Sequence, residues 1–360
     1  MEQYLDIISR FRTDGKVTGV KPLGNGLIND TLLVTTDGPD DYVLQRINQG
    51  IFRDVDLLQH NIDCVTRHLR EKLAAAGESD IERKVLRFLP CKETGKTYWT
   101  DGSSWWRMSV FIKDSYTYET VDPKYSEFAG QAFGRFEALL ADIPDTLGET
   151  IPDFHNMELR ARQLHEAAAA DKAGRMALPE VKAILDELLP FEQEMCKAER
   201  LHREGKLPKR ICHCDTKVNN MLFDAAGNIL CVIDLDTVMP SFVFSDFGDF
   251  LRTAANPVAE DSPEVDKIDF RMDIFEAFAR GYVKSASSFL TPVERENLPY
   301  AACLFPYMQA VRFFADYING DTYYKIRYPE HNLVRTRNQL ALFKSAMAKV
   351  PAMSAFIASV

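Results

Sequence analysis

Residues 210–240 read RICHCDTKVNNMLFDAAGNILCVIDLDTVMP. RICHCD, NMLFD and ILCVIDLD have the aliphatic and β-branched content of three short strands. Asp224-Ala225-Ala226-Gly227-Asn228 turns between the last two, since Asp and Asn accept local backbone bonds and Gly tolerates a left-handed backbone. Between the first two strands lies a polar segment, Asp215-Thr216-Lys217-Val218-Asn219-Asn220. The strand after the turn delivers a second acid, Asp234, 19 residues beyond Asp215.

His213, Asp215 and Asn220 fit H-x-D-x-x-x-x-N ahead of a short apolar strand, the spacing that kinase-like phosphoryl transfer requires. One carboxylate must take or orient the proton of an attacking hydroxyl. An amide five residues on, and an acid on the neighbouring strand, must hold the divalent metal that bridges nucleotide phosphates. Asp215 is therefore the expected general base, Asn220 and Asp234 the expected metal ligands, and Lys217 the expected cation beside the transferring group. His213, among apolar neighbours, reads as a structural histidine. The four-position pattern alone arises readily by chance; the spaced second acid, the turn and the β-rich region upstream lift it. Asp246-Phe247-Gly248 spells a familiar metal-binding triplet but lies 31 residues past Asp215, so Asp246 and Asp249 are expected to brace the loop. Pro90–Thr97 has Pro where a phosphate loop needs Gly and leads into strand residues, so it is read as a turn.

Upstream, residues 19–48 contain three β-rich pieces, with TLLVTT and YVLQRI separated by Asp37–Asp41. Gly24-Asn25-Gly26 turns between the first two, and its glycines would let backbone amides approach phosphates. Leu58, Ile62, Val65, Leu69 and Leu73 mark one face of a helix of about five turns. KVLRFLP, KTYWTD and SSWWRMSVFI supply further strands, with Asp101-Gly102 as a hairpin turn. From about residue 122 the pattern turns helical: Phe128, Ala132, Phe136, Leu139 and Leu140 mark a helix that stops before Ile143-Pro144, further helices are expected over 156–172, 179–204 and 333–349, and one is opened by Thr291-Pro292-Val293-Glu294 and broken or kinked at Pro299 and Pro306. The expected layout is a β-rich lobe over 1–113 and a mostly helical lobe over 114–360, with the ligand in a cleft between them.

The 360 residues are 46% hydrophobic and 27% charged, with a net charge of −10. These values exclude disordered and fibrous classes. The negative balance opposes nucleic acid, no apolar run reaches the roughly 18 residues of a membrane helix, and the polar N-terminus lacks a signal-peptide pattern. The seven cysteines are scattered and odd in number, which suits reduced thiols in the cytoplasm. Cys212-His213-Cys214 lacks a second ligand pair at zinc spacing.

GNGLINDTLLV, YVLQRIN, HCDTKVNNMLFD, VIDLDTVMP and VRFFADYINGDTYYKIRYPEHNLVRTRNQ resemble the aminoglycoside phosphotransferase-like kinases, and within them the N-acetylhexosamine 1-kinases. The resemblance implies an α+β, two-lobed protein-kinase-like fold, ATP and Mg²⁺, and phosphorylation of the anomeric hydroxyl of GlcNAc or GalNAc. It carries Asp215 onto the base, Asn220 and Asp234 onto the metal ligands, and Gly24 and Gly26, with Asn25 between them, onto the phosphate-covering turn. Asp236 is implied as a further organiser of metal or phosphate, and Arg312 and Tyr323 as sugar-recognising positions. The plainer readings are an Arg312–Asp316 pair one helical turn apart and core packing for Tyr323. One departure is evident: the lysine usual on the third strand is replaced by Gln45 and Arg46, of which strand alternation lets only one face the nucleotide, and Arg46 is the candidate cation. Its helical partner carboxylate is open among Asp54, Asp56 and Asp63. A kinase for aminoglycosides, choline or amino alcohols, and a non-catalytic nucleotide- or sugar-binding relative, are the competing readings.

Overall fold

The computed structural model describes residues 2–24, 28–118 and 121–360. In chain order the elements are α1 (Glu2–Ser9), β1 (Val17–Pro22), β2 (Asp30–Thr36), β3 (Tyr42–Ile47), α2 (Val55–Ala75), α3 (Ile81–Lys84), β4 (Trp99–Thr100) and β5 (Trp105–Val110). There follow α4 (Pro123–Leu140), α5 (Met157–Ala170), α6 (Pro179–Leu188), α7 (Glu192–Met195), α8 (Lys197–Arg203), β6 (Arg210–Cys212), β7 (Met221–Phe223), β8 (Ile229–Val232) and β9 (Met239–Ser241). The chain ends with α9 (Phe244–Ala254), α10 (Met272–Ala286), α11 (Pro292–Glu296), α12 (Leu298–Ile318) and α13 (His331–Ser359). Two compact units result: Met1–Tyr118 with Leu139–Pro152 and Asn219–Met239, and Glu119–Ala138 with Asp153–Val218 and Pro240–Val360.

The first unit is built on a five-stranded antiparallel sheet in the order β1-β2-β3-β5-β4. Alternation along the strands gives it one apolar face, where Leu32, Val34, Tyr42, Leu44, Trp106 and Met108 cluster with Ile8 and Phe11. The helix α1 that supplies Ile8 was not foreseen; eight residues carry too little periodicity to announce it. In the sheet, Gln45 lies opposite Thr31 and Arg107, while Arg46 lies opposite Asp30 and Trp106. The stripe Leu58, Ile62, Val65, Leu69 and Leu73 is buried along α2 as expected, and Asp54 caps that helix by accepting from the Leu57 amide at 2.9 Å. KVLRFLP, expected as a strand, makes only a bridge between Phe88 and Ser109, because Pro90 has no N–H for a ladder and Cys91–Lys96 closes a turn on itself at 2.7 Å. The hairpin β7-β8 belongs to this unit, its turn held by Asp224, which accepts from the amides of Ala226 and Asn228 at 2.9 Å each.

The second unit is helical around α12, which is buried over almost its whole length and packs on α5, α9 and α13. The helix expected over 179–204 is four pieces, because Pro190 interrupts the run with a 3₁₀ turn. The break expected at Pro299 and Pro306 falls instead at Asn297; Pro299 sits in the first turn of α12, where its missing N–H costs nothing, and the helix continues through Pro306. The Thr291–Glu294 capping box is present, and the Glu294 carboxylate also receives Arg210 of β6 at 2.9 and 3.1 Å. By length and composition α13 could span a membrane; along it Leu342, Phe343 and Ala346 are fully buried.

Backbone contact between α4 and α10 depends on glycine. A Cβ at Gly130 would stand 2.1 Å from the Phe278 carbonyl oxygen, and one at Gly281 would stand 2.2 Å from that of Glu127. Alanine at an unhindered mid-helix position gains about 1 kcal/mol over glycine; here the clash reverses the sign. Gly130→Ala is expected to lower stability by about 1–3 kcal/mol in urea denaturation, and a gain in stability would contradict this packing.

Candidate active site

Strand β6 leads into His213, whose ring is fully buried and lies edge-on to Phe133 and Phe136 at centroid distances of 5.4 and 5.9 Å. It accepts the Asp215 amide on Nδ1 at 3.3 Å, the structural role expected of it. Next, Cys214 holds φ +62°. The left-handed region costs a non-glycine residue about 1–3 kcal/mol, and Cys214 is the one described non-glycine residue with positive φ that is not an aspartate. The compensation is the Asp246 carboxylate, buried at the start of α9, which accepts from the amides of His213 and Cys214 at 2.8 and 2.7 Å. Thr216 adds a bond from its hydroxyl to the Asp246 carbonyl at 2.9 Å and one from its amide to Asp249 at 3.2 Å. The bracing expected of Asp246 and Asp249 is thus present bond by bond.

The loop so held presents Asp215 about one-quarter exposed, with the Lys217 ammonium on both its carboxylate oxygens at 2.7 and 2.8 Å. Behind them Asp249 is pushed up to about 6 by burial, and further by Asp215, against the opposing pull of Arg252. Arg252 also pairs with Glu260.

Beneath Asp246, Glu137, Cys212 and Asp246 bring their polar atoms within 4.8 Å of one another. Burial, then the Asp246 charge, raises the Glu137 carboxyl well above its usual range, and burial raises the Cys212 thiol likewise. Glu137 accepts the Tyr282 hydroxyl at 2.5 Å. With the acid and the thiol both shifted toward their neutral forms and Asp246 committed to two amides, the cluster is a buried support for the loop.

In the other unit, Asn220 is buried just before β7 and Asp234 follows β8 by one residue. The Ile233 amide donates to the Asn220 carbonyl at 2.9 Å, so the hairpin brings the two expected metal ligands to the same end. Asp234 itself adopts φ +62° and opens a 3₁₀ turn over Leu235–Thr237. An amide and a carboxylate offer hard oxygen donors, which suit Mg²⁺ or Ca²⁺. Gly24, at φ +69°, turns the chain between β1 and β2 with open space where a Cβ would be; Asn25 and Gly26 lie outside the described residues.

The third strand departs from the expectation. Arg46 is half exposed and 3.7 Å from Asp30, on the sheet face that carries Leu44. Gln45 is on the opposite face and accepts from Arg107 Nε of β5 at 2.9 Å. The helical partner is none of the three acids considered: Asp54 caps α2, Asp56 holds Lys96 and the Tyr98 hydroxyl at 2.7 Å each, and Asp63 accepts from Thr97. Gln59 instead faces Arg107, at 3.3 Å. Arg107 was missed in the sequence, although an arginine between Trp106 and Met108 in an apolar strand signals a buried charge that must be paired.

Arg312 and Tyr323 do come together. With Arg160, Gln163, Lys172 and Tyr324 they line a cavity of about 370 Å³ between α5, α12 and the segment after it. Asp316 does not pair with Arg312: its carboxylate accepts from the amides of Thr322, Tyr323 and Tyr324 at 2.9, 2.9 and 3.0 Å, and from Asn332 at 2.9 Å, which bends that segment into the cavity wall. Arg312 lies over the rings of Phe154 and Tyr324, 5.7 Å from each centroid. Tyr323 is 71% exposed, which excludes core packing. Arg160, also missed, is lowered to about 10 by burial and by Arg312.

Glu137→Gln isolates the electrostatic part of the loop support. An acid with a raised folded pKa keeps its proton in the fold where the unfolded chain releases it, so its stabilisation is full below the unfolded value, about 4.3, and declines as pH rises through the folded value. The amide has no proton to lose. The Tm of Glu137→Gln minus that of the parent is expected to be larger at pH 8 than at pH 4.5; a difference constant with pH would contradict a protonated Glu137.

The chain matches the family model described as phosphotransferase enzyme family, APH, over residues 19–285. Among solved structures it is similar to an aminoglycoside phosphotransferase from Alicyclobacillus acidocaldarius, at 13% identity and TM-score 0.63, covering 98% of this chain and 96% of that one. An amicoumacin kinase in complex with AMP-PNP and Ca²⁺ aligns at 14% identity and TM-score 0.61, covering 94% and 92%. The ethanolamine kinase of Plasmodium vivax aligns at 15% and 0.54, covering 95% and 85%. The protein-kinase-like fold is shared with all three. With the family match spanning most of the length and the kinase motifs standing on that fold, the chain belongs to the APH phosphotransferase family and is an ATP-dependent small-molecule kinase.

Proposed function

We propose that this kinase transfers the γ-phosphoryl group of ATP to the anomeric hydroxyl of an N-acetylhexosamine. The observation that carries the acceptor class is the charge of the cavity around Arg312. Arg160, Lys172 and Arg312 outnumber Glu166 and Asp316 in its wall, the Asp316 carboxylate is occupied by four N–H donors, Glu166 pairs with Arg162 at 4.0 Å, and Arg312 already covers the face of Tyr324. A quaternary ammonium or aminoglycoside needs free aromatic faces or acids; this wall suits a neutral, hydroxyl-rich acceptor whose oxygens take hydrogen bonds from guanidinium groups.

In this reading Asp215 takes up the proton of the 1-hydroxyl as it attacks, and Lys217 shares its charge with the transferring group. Asn220 and Asp234 hold Mg²⁺, which when bound neutralises charge on the β- and γ-phosphates. Gly24, with Asn25 and Gly26, covers the phosphates through backbone amides. Residues 1–113 serve the nucleotide, and 114–360 carry the catalytic loop, the metal ligands and the acceptor-binding region. The seven free thiols fit the reducing cytoplasm, where ATP is at hand.

The test is ADP release with Mg-ATP over a panel of hexosamines, choline and aminoglycosides. Turnover is expected on GlcNAc or GalNAc, and Asp215→Asn should lower kcat by about 10²–10⁴. Turnover confined to cationic acceptors would overturn the sugar reading, and none on any acceptor would overturn the catalytic one. Arg312→Ala should raise the acceptor KM by about tenfold or more, the cost of a lost charged hydrogen bond, with the ATP KM within about twofold; an equal rise in both would contradict an acceptor role.

A further inference from the structure

Arg107 is nearly inaccessible and stands in β5 between Trp106 and Met108. Its guanidinium is divided among several partners. Nε donates to Gln45 of β3 at 2.9 Å, Nη1 to Gln59 of α2 at 3.3 Å, and Nη1 lies 2.5 Å from the Asp236 carboxylate. The other oxygen of Asp236 accepts from Asn29 at 2.6 Å, and its carbonyl accepts from the Thr150 hydroxyl at 2.9 Å. Asn29 in turn accepts the Asn48 amide at 2.9 Å, while the Asn48 side chain holds the Ile28 carbonyl at 3.2 Å. One guanidinium therefore connects the third strand, the helix α2, the residues that follow the glycine turn, and the 3₁₀ turn that begins at Asp234.

A buried ion pair is a poor stabiliser, since desolvation offsets most of its attraction. Its value lies in geometry. A fork with several N–H donors can bond Gln45 and Gln59 while its charge stays against Asp236; a lysine presents a point charge. Because Asp236 is two residues beyond Asp234, whose backbone is left-handed, fixing Asp236 fixes the turn that aims Asp234.

We propose that Arg107, through Asp236, is the positioning residue that sets the Asp234 turn for metal–nucleotide binding, replacing the tether usually supplied by a third-strand lysine. The proposal rests on the kinase reading above, with Asp234 as metal ligand. In this reading Arg107 acts through Asp236, as outer partners of metal ligands do, where substitution costs about 10–100-fold in metal affinity.

The test titrates a fluorescent ADP analogue with and without Mg²⁺ and records Tm in parallel. Removing one charge would orphan the other, so the deciding variant is R107Q/D236N, which removes both; R107K keeps the charge and loses the fork. The expected result is that Mg²⁺ tightens nucleotide binding in the parent, and that this enhancement falls about tenfold or more in R107Q/D236N, with metal-free affinity within about threefold. R107K is expected to lose the enhancement likewise, and if it fails to fold the double variant decides alone. A folded double variant that keeps the parental enhancement, whatever its Tm, overturns the proposal, because a merely structural role moves Tm and not the metal dependence. A parent with no Mg²⁺-dependent nucleotide binding would overturn the kinase reading, and this proposal with it.

Discussion

The loop from His213 to Asn220 exists in its observed form because the buried carboxylate of Asp246 accepts the amides of His213 and Cys214. Those two bonds hold Cys214 in a left-handed conformation that its side chain does nothing to favour. A carboxylate at the start of α9 is well placed to accept N–H groups, and bonds to a charged acceptor are about twice as strong as neutral ones. The support extends inward: Glu137, whose burial favours the neutral acid, accepts the Tyr282 hydroxyl in the space beneath Asp246. Phe133 and Phe136 pin the His213 ring, and the glycines of α4 let that helix approach α10 closely enough to place them. Asp215 and Lys217 thus rest on a buried platform, which is what the proposed catalytic role requires of a preorganised site.

The other unit solves the same problem with different chemistry. Asp234 is also left-handed, and the residue that anchors its turn is Asp236, tied to Arg107 and Asn29. In both units an acid with a proposed role sits at or beside a left-handed residue, and a buried carboxylate holds the backbone or turn next to it. Such strain persists only where its surroundings over-determine it, so substitutions behind the site should alter function before they unfold the protein.

Much of this was legible in the sequence, and the exceptions have physical causes. The motif Asp215–Asn220, the Asp224 turn and Asp234 could be read because their spacing is local: a strand, a turn and a strand fix which residues meet. The α2 stripe and the Thr291–Glu294 box were equally local. The role of Asp246 was anticipated by exclusion, since Asp234 already filled the metal slot. What escaped depends on partners far apart in the chain. Arg107 meets Asp236 across 129 residues, and no periodicity announces such a pairing. Alternation showed that Gln45 and Arg46 must face opposite ways, but which face mattered was settled only by the apolar cluster that claims Leu44 and Tyr42. The helix over 179–204 was overread because its composition outweighed Pro190 in a window average.

Acceptor choice is where family membership stops being informative, because one fold serves many acceptors. In the proposed acceptor cavity three cations stand with two acids, the wall is bent into place by Asp316, and Arg312 occupies the face of Tyr324. The account's central claim is therefore a regiochemical one, and phosphorus NMR of the products from Mg-ATP and an N-acetylhexosamine tests it most directly. The account predicts a sugar phosphate whose phosphorus couples to the anomeric proton, appearing as the ATP γ signal declines. A phosphate coupled to the protons at the 6-position, or inorganic phosphate alone, would contradict it.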